Sequence, residues 1–196
     1  MNTIELNLSF KEKRNYLNGA DFYFAIEKTI NIIDKGWLKK LTFKNFAYNK
    51  CIINFEKPDI NKKIVAIGIW QSPNETSYKI WVTETSLAVL DRISFKEEEI
   101  IKNSETTQNR IRLNKKNKYS TIENIVSLTK ELNYQISPKI AGKWVFGQID
   151  LLKKLPSNYK EITIIHTGGR NSSFSRNQII IEDLTYGEIR FIVGKP

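Results

Sequence analysis

Hydrophobic and polar residues alternate at the start of the chain and then change to a helical spacing. Every second residue from Ile4 to Phe10 is apolar, which is the pattern of a half-buried strand. Asp21 is a suitable N-cap, and the segment Phe22 to Asp34 carries apolar residues at helical spacing and on the flanking positions as well. Because little of this helix would face water, we predict that it is buried in the middle of its domain and ends at Gly36.

The remainder of each half is predicted to form strands separated by polar turns. In the first half the strand-like runs are residues 38–55 with a break near Asn49, 64–70, 78–83, and 87–95 as a continuation of the sheet. In the second half Ser120 and Glu123 have capping-box spacing and open an amphipathic helix at residues 120–133. Strands are then predicted at residues 144–152, 161–166, 178–181 and 188–193, with a loop at 167–173.

The two halves therefore show the same order of elements at an offset of about 97–99 residues. We predict a first repeat at residues 1–95, a polar basic connector at 96–119 with one exposed strand at Ile111 to Leu113, and a second repeat at 120–196. The similarity lies in pattern and not in residue identity, so a simple α+β meander is the alternative to a duplication.

Composition adds a strong positive charge to this picture. The net charge is +10 and 40% of the residues are hydrophobic, enough for a real core. A basic surface favours an acidic partner, which would be nucleic acid, an anionic membrane surface or an acidic protein. The alternative is a lysine-rich surface without a partner.

The scarcity of cysteine and histidine disfavours several classes of site. The single cysteine, Cys51, excludes an intrachain disulfide, and one cysteine with one histidine cannot form a zinc site. We therefore predict no metal and no cofactor, and an inert buried Cys51. The N-terminus lacks the pattern of a signal peptide, and no apolar run is long enough to span a membrane, so we expect a cytoplasmic protein.

An apolar helix followed by a series of antiparallel strands, present twice, resembles the tandem hotdog architecture. The resemblance implies an α+β fold of two hotdog-like repeats, each an apolar helix wrapped by antiparallel sheet. Members of this superfamily include acyl-thioester dehydratases, thioesterases and the A-factor-biosynthesis type, and they bind a fatty-acyl chain on CoA or acyl carrier protein between units. Carrier proteins are acidic, so the basic surface would suit such a partner.

The resemblance also suggests candidate residues, with one departure. Dehydratases of this kind place a histidine ahead of the helix, and the corresponding segment Tyr16 to Asp21 has none, which puts dehydratase chemistry in doubt. Glu27 is the nearest candidate for a base acting on water, since a desolvated carboxylate has a raised pKa. Tyr23 would lie beside it at the mouth of a pocket. The aromatic residues that would line that pocket or simply fill the core are Phe43, Phe46, Trp70, Trp81, Trp144 and Phe146.

Two further segments carry candidate binding chemistry. His166 and Arg170 flank a glycine pair that would hold a phosphate or carboxylate, or would simply form a hairpin turn. Arg110 to Tyr119 contains five basic residues and ends in an aromatic ring, as phosphate contacts and base stacking require. Nucleic-acid binding without a recognised motif is thus the alternative to an acyl-thioester function.

Overall fold

A computed structural model describes residues 3–170 and 173–195 of the chain. The chain divides into two compact units, the first built from residues up to Phe95 and the second from Lys96 to Lys195. Each unit contains one long helix and an antiparallel sheet.

The first unit is a five-stranded antiparallel sheet with one long helix. Its elements are β1 (Thr3–Leu6), β2 (Phe10–Lys11), α1 (Gly19–Ile33), β3 (Trp37–Phe43), β4 (Asn49–Asn54), β5 (Ile64–Gln71), β6 (Ser77–Ala88) and β7 (Arg92–Ile93). The strand order is β1-β4-β6-β5-β3, while β2 and β7 form a separate parallel pair. The expected extension of the sheet through residues 87–95 is therefore wrong beyond Ala88, because β7 pairs with β2 instead.

The second unit is a six-stranded antiparallel sheet with a long and a short helix. Its elements are α2 (Glu97–Ile101), β8 (Ser104–Thr107), β9 (Arg110–Leu113), α3 (Thr121–Ile136), β10 (Lys143–Leu151), β11 (Ile162–Arg170), β12 (Phe174–Ile181) and β13 (Leu184–Gly194). The strand order is β10-β13-β12-β11-β9-β8.

The units share an element order but not a strand order. In the first unit β4 pairs with β6, whereas in the second the corresponding strand β11 pairs with its successor β12. The expectation that both halves have one topology is wrong on this point. In the first unit β6, of 12 residues, lies between β4 and β5 and pairs with both.

The segment expected to be a connector folds within the second unit. It contributes α2, β8 and β9, and both Ile111 and Leu113 of β9 are fully buried. The predicted exposed strand is therefore a buried one. Its two apolar residues alternate with Arg110 and Arg112, so polar composition concealed a strand with one apolar face.

The burial of the two long helices is the reverse of the prediction. In α1 the buried face comprises Phe22, Tyr23, Ala25, Ile26 and Ile30, but Phe24 and Ile32 are exposed. In α3 the buried residues include five polar ones, Thr121, Asn124, Ser127, Thr129 and Asn133. Thus α1, which was predicted to be buried all round, is the amphipathic helix. The helix α3, which was predicted to be amphipathic, is the more deeply buried of the two.

The caps were predicted correctly for one helix only. Ser120 and Glu123 form the full capping box of α3, which confirms that prediction. In α1 the N-cap is Asn18, whose side chain accepts a hydrogen bond from the Ala20 amide at 2.9 Å, and not Asp21. Asp21 lies in the first turn and pairs with the buried Lys11 at 2.6 Å.

Candidate functional site

Tyr23 and Glu27 lie one turn apart on α1 and meet the start of β3. The Tyr23 hydroxyl lies 3.3 Å from Glu27 Oε1 and 3.3 Å from the Leu38 carbonyl oxygen, and both accept from it. Glu27 Oε1 also accepts a hydrogen bond from the Leu38 amide at 3.0 Å. The three residues form one polar cluster between helix and sheet, which we call the α1–β3 cluster.

The turn after α1 explains why this cluster forms. Asn31 donates from its side chain to the Glu27 carbonyl at 2.8 Å and accepts from the Gly36 amide at 3.2 Å, so it directs the chain into β3. A Cβ atom on Gly36 would lie 2.3 Å from the Gln71 carbonyl oxygen and 2.6 Å from Trp70 Nε1. Glycine is therefore required where the chain turns back towards Glu27.

The electrostatics of the cluster keep the phenol protonated. Burial of Tyr23, the negative charge of Glu27 and the hydrogen bond to Glu27 together raise the pKa of Tyr23 well above its ordinary value. Tyr23 is thus a fixed donor at neutral pH. The half-buried Glu27 carboxylate is oriented by the phenol and by a backbone amide, and such a carboxylate can accept a proton from water.

Trp70 is the predicted ligand-binding residue that lies nearest to this cluster. It pairs with Leu38 across β5 and β3, is fully buried, and its Nε1 has no hydrogen-bond partner among the described residues. Phe43 makes an edge contact with Phe22 of α1, with ring centroids 5.7 Å apart. These rings contribute to a packed helix–sheet interface, and their predicted role in lining a pocket stays a prediction.

The other predicted ligand-binding residues, Trp144, His166 and Arg170, lie in the second unit. Trp144 is buried on β10, and its Nε1 likewise lacks a partner within residues 3–170 and 173–195. His166 is half-buried on β11, and its Nδ1 lies 3.3 Å from Asn177 Oδ1. Arg170 is exposed at the end of the same strand.

The glycine pair near His166 lies within a strand and not in an open loop. Gly168 and Gly169 have φ of +144° and +142°, and a Cβ on Gly169 would lie 2.2 Å from the Phe174 carbonyl oxygen. The predicted loop at 167–173 is accordingly wrong for residues 167–170, which belong to β11. Asn171 and Ser172 lie outside the described residues.

The basic segment is partly engaged in contacts within the second unit. Arg112 lies 3.4 Å from Glu161, and Lys118 lies 2.7 Å from Glu99, which also accepts from the Tyr119 hydroxyl at 2.9 Å. An open cavity of about 500 Å³ adjoins this segment at the β8–β9 hairpin. Its lining residues are Glu105, Thr107, Gln108, Asn109, Arg110 and Arg112.

A second open cavity, of about 310 Å³, lies between α2 and α3. Neither of these two cavities is lined by a residue of α1. Among the described residues no group of three or more His, Cys, Asp or Glu side chains is arranged to hold a metal ion. No helix in that part of the chain is long and apolar enough to cross a membrane.

Sequence reasoning missed the polar residues that the fold buries. Asn124 is fully buried and donates to the Tyr159 hydroxyl at 2.8 Å, while its Oδ1 accepts from Asn117 at 2.8 Å. Lys11 is also buried, with its ammonium 3.9 Å from the centre of the Phe95 ring. Lys11 stands in the alternating N-terminal pattern next to Phe10, and Asn124 follows the capping Glu123. Neither position carries a local signal for burial.

Comparison with known proteins identifies similar structures but no sequence family. No family model matches the chain, and no curated protein matches it. The dehydratase domain of PpsC from Mycobacterium tuberculosis, in complex with C12:1-CoA, is similar with a TM-score of 0.50 and 8% identity, covering 98% of this chain and 92% of that one. An acyl-ACP thioesterase from Bacteroides thetaiotaomicron has a TM-score of 0.48 and 8% identity, covering 97% and 96%.

At such low identity the similarity to the PpsC domain describes the fold alone. It supports the expected fold, a mixed fold of antiparallel sheet with few helices. The nucleic-acid alternative stays a prediction, since a similarity in fold does not test it.

Proposed function

We propose that this chain binds or processes acyl thioesters, of CoA or of acyl carrier protein, in the manner of a tandem hotdog protein. The observation that carries the proposal is the α1–β3 cluster, in which a carboxylate on the long helix is oriented by a buried phenol and a backbone amide. The similarity in fold to a domain that is in complex with C12:1-CoA supports the choice of ligand class.

The reaction class that suits these residues is hydrolysis of the thioester. Glu27 takes a proton from water, whose oxygen attacks the carbonyl carbon; the carbon–sulfur bond then breaks and the thiol leaves with the proton. Tyr23 acts as a positioning residue, because its hydroxyl holds the orientation of the carboxylate. Glu27 in this role needs no histidine, which agrees with the absence of a histidine before α1.

The test combines binding with thiol release. Purified full-length protein is titrated with acyl-CoA of increasing chain length and with acyl carrier protein, by calorimetry and thermal shift, and free thiol is followed with a chromogenic disulfide. We expect binding that strengthens with chain length and slow release of thiol. Glu27→Gln should abolish release and retain binding, whereas Glu98→Gln, an exposed control on α2, should change neither.

Tyr23→Phe tests the positioning role separately. The variant should lower kcat with little change in KM, since it alters the orientation of the base and not the binding of the acyl chain. Absence of binding to every acyl-CoA and to acyl carrier protein would end the proposal. Binding with no release, unaffected by Glu27→Gln, would leave a non-catalytic acyl-binding protein.

The proposal also includes a tandem arrangement of two related units. Both units place a strand, a long helix and four further strands in one sequence order, β1-α1-β3-β4-β5-β6 and β9-α3-β10-β11-β12-β13, which supports two related units with an exchanged strand pair in the first. Amide proton contacts in solution between Ile53 of β4 and Val82 of β6 test that exchange. Contacts of β4 with β5 instead would give both units the same order.

A further inference from the structure

The outward side of α1 carries large apolar side chains at helical spacing. Phe24, Lys28 and Ile32 follow one another four residues apart and are all exposed, and Ile33 is exposed at the end of the helix. Phe24, Ile32 and Ile33 have exposed fractions of 53%, 78% and 61%. Phe24 and Ile32 lie on one side of the helix and Ile33 adjoins Ile32 at its end; exposed apolar side chains that are grouped and not scattered singly are typical of an interaction surface.

The charged side chains of α1 are also distributed unevenly around the helix. Glu27 bonds to the Leu38 amide as described, and Asp34, which caps the end of the helix, accepts from Ser72 at 2.7 Å and from Tyr78 at 2.9 Å. The carboxylates are thus engaged towards the sheet and neighbouring loops. Lys28 and Lys35 are exposed, so the outward side is apolar and cationic. We call Phe24, Lys28, Ile32, Ile33 and Lys35 the outward stripe.

This arrangement favours one kind of partner. A second copy of the chain packed on the stripe about a two-fold axis would bring two cationic surfaces together, which is unfavourable without carboxylates between them. An acidic protein would have to present its carboxylates between its apolar contacts in matching register. A layer of anionic lipid needs no register: Phe and Ile enter the acyl boundary while lysine stems reach the phosphates at the same depth.

We propose that the outward stripe of α1 binds an anionic lipid surface. The interaction is peripheral and reversible, because a few apolar side chains and two lysines supply far less than a membrane-spanning helix. It does not depend on the proposed activity, since Tyr23 and Glu27 are both engaged by Leu38 of β3 and are not members of the stripe. Its effect is to hold the protein at the surface of a membrane that contains acidic headgroups.

The experiment is vesicle co-sedimentation of the full-length chain. Vesicles of phosphatidylcholine alone are compared with vesicles that also contain phosphatidylserine, over a range of ionic strength. We expect binding only in the presence of phosphatidylserine and a steady loss of binding as salt rises. Phe24→Ser with Ile32→Ser should weaken it about tenfold or more, and Lys28→Gln with Lys35→Gln should reduce both affinity and salt dependence.

Matched controls separate the stripe from general surface properties. Leu152→Ser with Leu184→Ser removes two apolar side chains of similar exposure, 70% and 54%, and Lys57→Gln with Lys139→Gln removes two exposed lysines elsewhere. Both control pairs should bind within about twofold of the wild type. Circular dichroism checks that every variant is folded.

Three results would overturn the proposal. The first is no binding to phosphatidylserine vesicles at low salt, and the second is an equal loss in the control variants. The third is a concentration-dependent dimer in size-exclusion chromatography that Ile32→Ser dissociates, without vesicle binding, which would assign the stripe to a second copy.

Discussion

The helices α1 and α3 have similar lengths but opposite relations between composition and burial. α1 contains Phe24 and Ile32 on an exposed side, whereas α3 places Asn124 and Asn133 in the interior. Hydrophobic content alone would have ranked their burial the other way round. The comparison shows that the surroundings of a helix, more than its own composition, decide which of its faces are covered.

The two helices differ in how many elements pack against them and in which elements these are. The main contacts of α1 are with β1 and β3, while α3 packs against β9, β10, β11, β12 and also α2. A helix covered on more sides must bury residues outside its apolar stripe, and those polar groups need partners. Asn124 finds them in Asn117 and Tyr159, and Thr129 donates to the Ile125 carbonyl at 2.7 Å.

The largest difference in stability between the two helices is expected when one apolar residue in each is truncated. Leu128 of α3 is fully buried and Ile32 of α1 is 78% exposed. Leu128→Ala should lower the free energy of unfolding by about 2–5 kcal/mol, because it removes core contacts and leaves a cavity. Ile32→Ala should change it by less than about 0.5 kcal/mol. Urea unfolding measures both, and equal losses would contradict the burial described here.

A smaller contrast is expected from the asparagines. Asn124→Ala leaves the buried Tyr159 hydroxyl without this partner and removes the bonds to the half-buried Asn117, which should cost about 1–3 kcal/mol. Asn31→Ala removes the two bonds that shape the end of α1, but water reaches this half-buried position, so the loss should be smaller. Calorimetric unfolding of the two variants tests this order, which would be wrong if Asn31→Ala were the more damaging.

Alkaline pH tests the phenols that anchor the helices. Burial raises the pKa of Tyr159 to about 12, and burial together with Glu27 raises the pKa of Tyr23 well above its ordinary value. The unfolded chain loses these protons near pH 10 while the folded chain keeps them, so the stability present below about pH 10 falls as pH rises, by about 1.4 kcal/mol per pH unit for each phenol.

Single phenylalanine variants separate the two contributions to that slope. Tyr159→Phe should remove the part of the slope that levels off near pH 12, and Tyr23→Phe should remove the part that comes from the Tyr23 phenol. Urea unfolding at intervals above pH 9 gives the slopes. An unchanged slope in either variant would show that the corresponding phenol is not buried in solution.

The smallest contrast concerns the N-caps. Ser120→Ala breaks a reciprocal capping box on α3, and Asn18→Ala removes a single side-chain bond on α1. Both should cost about 0.5–2 kcal/mol, with the larger loss at Ser120. Thermal unfolding of the pair measures the difference, and Ser120→Thr should retain most of the stability if the cap itself is responsible.

Much of the element order could be predicted because it depends on neighbouring residues. The strands near residues 64–70 and 144–152, and the capping box at Ser120, are set by alternation and by a three-residue spacing. The α1 cap was missed because both Asn18 and Asp21 suit that position, and the choice depends on Asp21 pairing with Lys11. Tyr23 and Glu27 were chosen from helical spacing, while their partner Leu38 became visible only with β3 in place.

The sequence by itself determined where the two long helices and most of the long strands form, that one cysteine and one histidine make no zinc site, and that the net charge is +10. Only the tertiary structure decided the strand order within each unit, the burial of Lys11 and Asn124, the bond from Leu38 to Glu27, and the outward stripe on α1. The reason is physical. Local propensity and periodicity act over a few residues, whereas strand pairing and burial depend on groups brought together from distant parts of the chain.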